Sequence, residues 1–151
     1  MENSTTSSSS QSKLSVVVWE FVSLTKPRVN LLIMFTAIVG MLLAQGRELQ
    51  YDLILLASLG IGFAASAAAI INHVIDQRID SVMDRTKGRP LVKGNIKPLH
   101  AIYFAIFLSI TSLLMLYIFV NTLTAILTFI SIIIYSFIYS IYLKNLNSQN
   151  I

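Results

Sequence analysis

The chain has 151 residues, of which 55% are hydrophobic and 12% are charged, and its formal net charge is +4. A soluble domain carries about 25% charged residues, so this composition excludes an ordinary soluble fold and indicates an integral membrane protein. The sequence contains no cysteine, which excludes disulfides and thiolate metal sites. Its basic residues do not form the aromatic-interleaved stripe that is typical of nucleic-acid binding.

The chain begins with a polar stretch, which is followed by a segment that combines apolar and polar residues. Residues 1–13 are rich in Ser and Thr, and we predict a disordered tail there. Residues 14–28, LSVVVWEFVSLTKPR, predict an amphipathic helix that lies in the membrane interface and ends at Pro27, with Trp19 at the depth of the lipid headgroups. The predicted membrane domain covers residues 29–151.

Four apolar segments follow, and each approaches the roughly 20 residues that a helix needs to cross the hydrocarbon of a bilayer. They cover residues 29–44 (beginning nearer 24), 53–75, 101–120 and 123–143. The third and fourth segments are nearly contiguous, so we predict a tight antiparallel hairpin between them. The expected fold is an all-α integral membrane bundle with four transmembrane helices.

The basic residues predict the orientation of these helices. Ten of the eleven Lys and Arg residues lie before the first span, between the second and third spans, or after the fourth, and only Arg47 lies elsewhere. Loops on the cytoplasmic side carry an excess of Lys and Arg. We therefore expect a multi-pass protein of the bacterial inner (cell) membrane, with both termini and residues 72–97 in the cytoplasm.

Residues 72–97, NHVIDQRIDSVMDRTKGRPLVKGNIK, contain the polar groups best suited to chemistry. Asn72, Asp76 and Asp80 are four residues apart, and each such step turns the side chain by only about 40°, so the three share one helix face over about 12 Å. Two carboxylates and one amide provide the oxygen ligands that suit Mg²⁺, which keeps several waters and shares phosphate oxygens. The spacing therefore predicts a magnesium site.

Basic residues follow this motif directly. Arg85 and Arg89 offer forked donors to phosphate, and Lys93 offers a point charge. Carboxylates for a metal beside cations for an anion indicate a diphosphate held through bridging Mg²⁺. The alternative is a set of ordinary juxtamembrane charges that pair along the helix. That alternative does not explain why Asn72 and Asp76 lie within or next to an apolar run, where polar groups are costly and usually functional.

The run NHVIDQRIDSVMDRTKGRPLVKG resembles the first aspartate-rich motif, N-x-x-x-D-x-x-x-D, of the UbiA superfamily of intramembrane prenyltransferases. More narrowly, LTKPRVNLLIMFTAIVGMLLA and IDSVMDRTKGRPLVKGNI resemble the branch of the family that farnesylates haem B. The similarity runs from about residue 24 to the end of the chain. It implies a helical membrane bundle around a cavity, where the farnesyl group of farnesyl diphosphate passes to a vinyl group of haem B.

The resemblance also implies roles for individual residues. The implied metal ligands are Asn72, Asp76 and Asp80, and Asp76 and Asp80 are the implied catalytic residues. The implied diphosphate ligands are Asn72, Arg85, Arg89, Lys93 and, from TKPR, Lys26. We interpret Asp84 as a solvated charge at a helix end. His73, about 100° round the helix from Asn72, is interpreted as a packing or interfacial residue rather than a haem contact.

The implied partners are farnesyl diphosphate, haem B, the lipid bilayer, and a terminal oxidase or another haem-modifying enzyme. Family members carry a second aspartate motif in a second half, so we expect this chain to correspond to an N-terminal half that is inactive alone. Two other functions stay open at this point. One is prenyl transfer to an aromatic quinone precursor, and the other is a non-catalytic four-helix transporter or assembly subunit.

Overall fold

Five helices make up the computed structural model, which describes residues 5–44 and 50–136. They are α1 (Thr5–Leu24), α2 (Pro27–Ala44), α3 (Tyr51–Asp80), α4 (Pro98–Phe119) and α5 (Thr122–Ile133). No strand occurs in this part of the chain, so the all-α prediction is confirmed. Helices α2, α3 and α4 are long and apolar enough to cross a membrane.

Helix α3 lies at the centre and contacts each of the other four helices. Its small residues let its neighbours approach closely. At Gly60, an added methyl group would lie 2.7 Å from Cδ2 of Leu116, so α4 crosses α3 where there is no room for a side chain. The hydroxyl of Ser112 donates to the Gly60 carbonyl oxygen over 2.7 Å at the same crossing. Small residues and one buried hydrogen bond therefore fix the α3–α4 contact.

A similar approach joins α2 to α3. A methyl group at Gly62 would lie 2.8 Å from Sδ of Met34. One turn before Met34, the side-chain amide of Asn30 donates to the Gly62 carbonyl oxygen over 3.0 Å and also to the hydroxyl of Ser66. The two helices are thus in contact at the level of Gly62.

The helix is interrupted between α1 and α2. Pro27 is the first residue of α2, where its missing N–H costs nothing, and Lys26 before it has a φ of +50°. The predicted helix end at Pro27 coincides with this break. Helix α1 begins at Thr5, within the predicted disordered tail, so the structure marks no boundary at residue 13. The interfacial position of residues 14–28 stays a prediction.

The hairpin predicted between the third and fourth spans is confirmed. Helix α4 ends at Phe119 and α5 begins at Thr122. The side-chain oxygen of Asn121 accepts a hydrogen bond from the backbone N–H of Thr124 over 2.6 Å, which caps α5. Residues 137–143 of the predicted fourth span lie outside the described residues.

Apolar side chains cover the outside of the bundle. Leu43, Tyr103 and Leu123 are 82%, 68% and 65% exposed, as are many neighbours of the same kind on α2, α4 and α5. Such a surface suits the hydrocarbon of a bilayer, where the backbone polar groups are satisfied within the helices. The structure therefore agrees with an integral membrane protein.

Candidate functional site

The three polar residues of the motif lie at the C-terminal end of α3, and all are buried. Asn72, Asp76 and Asp80 are 7%, 4% and 4% exposed. Their burial agrees with the predicted common face of the helix. Burying a carboxylate is costly unless it is paired or bound to a cation, so this end of α3 needs positive charge close by.

Residues 81–97 bring that charge by folding back against the end of α3. The hydroxyl of Thr86 donates to the backbone oxygen of Asp80 over 3.0 Å, and the side-chain amide of Gln77 donates to the backbone oxygen of Leu91 over 2.9 Å. The side chains of Leu91 and Ile96 are 2% and 3% exposed and belong to the main hydrophobic core. This connection is therefore anchored to the bundle.

Asp80 and Arg89 form an ion pair through Oδ2 and a terminal guanidinium nitrogen. The Asp80 side chain is 5% exposed and the Arg89 side chain 29%. The sequence predicts that Asp80 binds the metal and that Arg89 binds the diphosphate. The structure shows that they bind each other.

Four predicted diphosphate ligands share one polar cavity of about 520 Å³. It lies between α1, the α1–α2 junction, α3 and the connection 81–97. Its basic lining residues are Lys26, Arg85, Arg89 and Lys93. Asn72, Asp76 and Asp80 are not among its lining residues, and Asp80 is linked to it through Arg89. The cavity therefore concentrates positive charge beside the buried carboxylates.

Sequence reasoning missed several residues of this polar cavity. His73 lines it while only 6% exposed, so a residue that the sequence indicates as packing or interfacial also faces the cavity. Trp19, Glu20 and Asn95 also line it, and the Glu20 carboxylate accepts a hydrogen bond from the Asn95 amide. The position of His73 on the helix could have indicated that it lines this cavity. Because His73 is rotated about 100° from Asn72, it faces a different neighbour of α3 than the aspartate motif does.

Asp84 behaves as the sequence predicts. Its side chain is 96% exposed and pairs with Lys87 over 2.7 Å at the surface. A pair of this kind contributes little to stability because water screens it. We therefore leave Asp84 out of the site.

A second, apolar cavity of about 410 Å³ lies between α2, α3 and α5. Alanines of α3 form much of its wall, and Lys26 and Tyr135 lie at one end. The alanines are Ala64, Ala65, Ala68 and Ala69. Lys26 lines both this apolar cavity and the polar one. An amphiphile with an anionic head and an apolar tail fits this arrangement.

The residues of the motif fit a hard cation such as Mg²⁺ only with help from other ligands. Asn72, Asp76 and Asp80 supply oxygen atoms alone, as such cations prefer. Within residues 5–44 and 50–136, no three His, Cys, Asp or Glu side chains come together as a ready-made metal cluster. Water and phosphate oxygens would have to complete the coordination, which suits a cation that arrives with a diphosphate.

Comparison with known proteins gives one family. Residues 33–151 match the UbiA prenyltransferase family. A protein named protoheme IX farnesyltransferase from Alkalilimnicola ehrlichii is 47% identical over 132 residues, and one of the same name from Legionella pneumophila (strain Lens) is 48% identical over 132 residues. These matches cover 87% of this chain and 44% and 45% of the two relatives.

The chain thus spans less than half the length of the curated relatives that it matches. No solved structure matches it.

Proposed function

The chain belongs to the UbiA prenyltransferase family, and from this we propose that it binds farnesyl diphosphate and serves transfer of the farnesyl group to haem B. The names of the relatives support haem as the acceptor over an aromatic quinone precursor. One observation carries the proposal: Lys26 lines both cavities. A diphosphate in the polar cavity and a farnesyl tail in the apolar cavity would therefore meet at Lys26.

The basic residues would hold the diphosphate. Arg85 and Arg89 can each donate two parallel hydrogen bonds to phosphate oxygens, and Lys26 and Lys93 add point charges. All four line the polar cavity. As the bond between C1 and oxygen breaks, negative charge grows on the diphosphate, and donors already aimed at it stabilise the transition state.

We propose Mg²⁺ as the metal, held by Asn72, Asp76 and Asp80. When bound, it would neutralise part of the charge on the departing diphosphate. The carboxylates of Asp76 and Asp80 would compensate the charge of the cation within the buried end of α3, where an isolated charge is costly. Asn72 would contribute its amide oxygen.

The apolar cavity would hold the farnesyl tail and keep water from the allylic carbon. The electron pair of the C1–O bond leaves on the diphosphate, and C1 bonds to a vinyl carbon of haem B. Water then supplies a hydroxyl group to the other vinyl carbon, with loss of a proton. The alanine wall of α3 has no side-chain nucleophile, whereas Thr128, Ser131 and Tyr135 place hydroxyl groups elsewhere in the lining. The allylic cation would therefore be best protected from capture on the α3 side.

We further propose that the protein lies in the bacterial inner membrane, with residues 72–97 in the cytoplasm. The distribution of ten basic residues on one side supports this orientation. A farnesylated haem carries a long apolar tail and would stay in the bilayer. A terminal oxidase or another haem-modifying enzyme is therefore the partner that we propose for the product.

A binding experiment tests the proposal. The chain in lipid nanodiscs should be labelled by a photoactivatable farnesyl diphosphate, and unlabelled farnesyl diphosphate should compete. Farnesol, which lacks the head, and pyrophosphate, which lacks the tail, should each compete only weakly. The Lys26→Ala variant should lose most of the labelling, whereas Arg28→Ala, an exposed neighbour outside both cavities, should retain it. Equal labelling of both variants would contradict the proposal.

Haem B as the acceptor is tested separately. Added to the nanodisc-embedded chain, haem B should shift its Soret band, and excess hydroxybenzoate should not reverse the shift. A different result would support an aromatic acceptor instead: the Soret band stays unshifted, and hydroxybenzoate raises the unfolding temperature of the chain.

A further inference from the structure

The apolar cavity has a defined length. Its lining residues begin near Lys26 and continue on α3 from Ala69 to Ile61. Eight residues of helix at about 1.5 Å each give about 12 Å. The far end is lined by Ile33 of α2, Ile61 of α3 and Thr128 of α5. A ligand whose head lies at Lys26 would therefore meet these three side chains with the end of its tail.

The close contact between α2 and α3 explains why the cavity ends there. Gly62 follows Ile61, and Met34 follows Ile33. A methyl group at Gly62 would lie 2.8 Å from Sδ of Met34, so no space remains between the helices at this level. Ile33 and Ile61 lie beside that contact and line the end of the cavity.

We infer that Ile33 and Ile61 limit the length of the isoprenoid chain that the cavity accepts. This inference rests on the proposed function, because it concerns the tail of the same substrate. The alanines of α3 give the cavity its width, and the two isoleucines give it its depth. A farnesyl chain is held along the cavity, and a geranylgeranyl chain, one isoprene unit longer, meets the isoleucine side chains.

Shortening either isoleucine removes that restriction. Ile61→Ala and Ile33→Ala delete branched side chains at the far end and leave the Lys26 end unchanged. Discrimination by size in an apolar pocket is on the order of tenfold or more. We therefore expect the affinity ratio of geranylgeranyl to farnesyl diphosphate to rise about tenfold in each variant. Ile61→Phe should shift the preference towards the shorter geranyl diphosphate.

The experiment is competition by geranyl, farnesyl and geranylgeranyl diphosphates against a photoactivatable farnesyl diphosphate on the nanodisc-embedded chain. Ile110→Ala is the matched control, because Ile110 lies on α4, is 53% exposed and does not line the cavity. The control should keep the wild-type order of affinities. Opposite shifts from Ile61→Ala and Ile61→Phe cannot come from loss of folding, which lowers binding of all three ligands together.

Two failures have different meanings. If the two alanine variants bind farnesyl diphosphate but keep the length preference of Ile110→Ala, the inference is overturned and the proposed function stands. If no isoprenoid diphosphate competes on the wild-type chain, the proposed function itself fails, and the inference fails with it.

Discussion

Asp80 and Arg89 show how one pair of side chains can serve two states of a site. Without a cation, the buried Asp80 carboxylate is neutralised by Arg89. A metal ion at Asp80 would compete with Arg89 for the same oxygen. Arg89, which also lines the polar cavity, would then be released towards a diphosphate. Metal and diphosphate would each favour binding of the other, which is a reciprocal coupling between the two sites.

This exchange predicts a specific effect of Arg89→Gln. Leaving the Asp80 charge buried without its partner costs roughly 3–5 kcal/mol, so the variant should unfold at a lower temperature. Because Mg²⁺ would replace the lost cation and binds only the folded state, it should restore much of the stability. Thermal unfolding followed by fluorescence of Trp19, the single tryptophan, measures this.

Arg85→Gln is the control for that prediction. It removes the same charge from the same cavity, but Arg85 is exposed and is not the partner of Asp80 in the ion pair. Its unfolding temperature should change little with or without Mg²⁺. Equal recovery by Mg²⁺ in both variants would show that the effect is general electrostatics rather than exchange at Asp80.

Lys26 combines a charge with an unfavourable backbone. Its φ of +50° costs a residue with a Cβ roughly 1 kcal/mol, and glycine much less. We expect Lys26→Gly to be more stable than Lys26→Ala by about that amount. Both variants lose the ammonium group and should bind farnesyl diphosphate equally poorly. Unfolding temperatures and competition assays measure the two effects, and stronger binding by the glycine variant would contradict a role for the charge.

At the scale of helices, the crossing of α3 and α4 at Gly60 predicts a steric effect. Gly60→Ala places a methyl group 2.7 Å from Leu116, which is fully buried and has little room to move. Overpacking of this kind costs roughly 1–3 kcal/mol. Gly60→Ala should therefore cost less in a Leu116→Ala background than in the wild-type chain, because the added methyl group then has space.

Gly40 of α2 provides the control for the crossing. A methyl group there has nothing within 4 Å, so Gly40→Ala should be neutral or slightly stabilising through its better helix propensity. Unfolding in detergent by increasing denaturant would compare these variants. A Gly60→Ala variant as stable as Gly40→Ala would contradict the proposed crossing.

Much at this scale could be predicted from the sequence. The apolar run 53–75 predicts the second span, and α3 covers Tyr51–Asp80, since the polar motif continues the helix. The break before Pro27 and the hairpin after residue 120 also follow from local signals. The ion pair between Asp80 and Arg89 could not be predicted. It depends on how residues 81–97 fold back over α3. This connection is irregular, so no periodic pattern in the sequence predicts its path.

The two cavities could not be predicted from the sequence either. The resemblance implies that Lys26 lies near the diphosphate, but its position between two cavities depends on the packing of four separate parts of the chain. Contacts between distant segments are fixed by packing rather than by local propensity. For the same reason the sequence indicates only a packing or interfacial role for His73, and its position in the lining of the polar cavity emerges from the structure.

For the molecule as a whole, orientation in the membrane can be measured. Gln50 precedes the N-terminal end of α3 and Lys87 follows its C-terminal end, and a 30-residue helix separates them. Single cysteines at Gln50 and Lys87 should react with a membrane-impermeant thiol reagent from opposite sides. Because the natural chain has no cysteine, no background labelling interferes. Labelling of both from the same side would refute the proposed topology.

The length of α3 determines which substrate concentration controls binding, the bulk concentration or the concentration in the membrane. Its 30 residues extend about 45 Å, whereas about 20 residues cross the hydrocarbon. If Leu53 marks one edge of the hydrocarbon, Asn72 lies near the other, and the buried residues Asp76 and Asp80 lie at the level of the headgroup layer. A lipid-anchored diphosphate would occupy that same layer and arrive by lateral diffusion. Occupancy should then follow the mole fraction of farnesyl diphosphate among the lipids, and diluting it with inert lipid at constant bulk concentration should lower labelling in proportion.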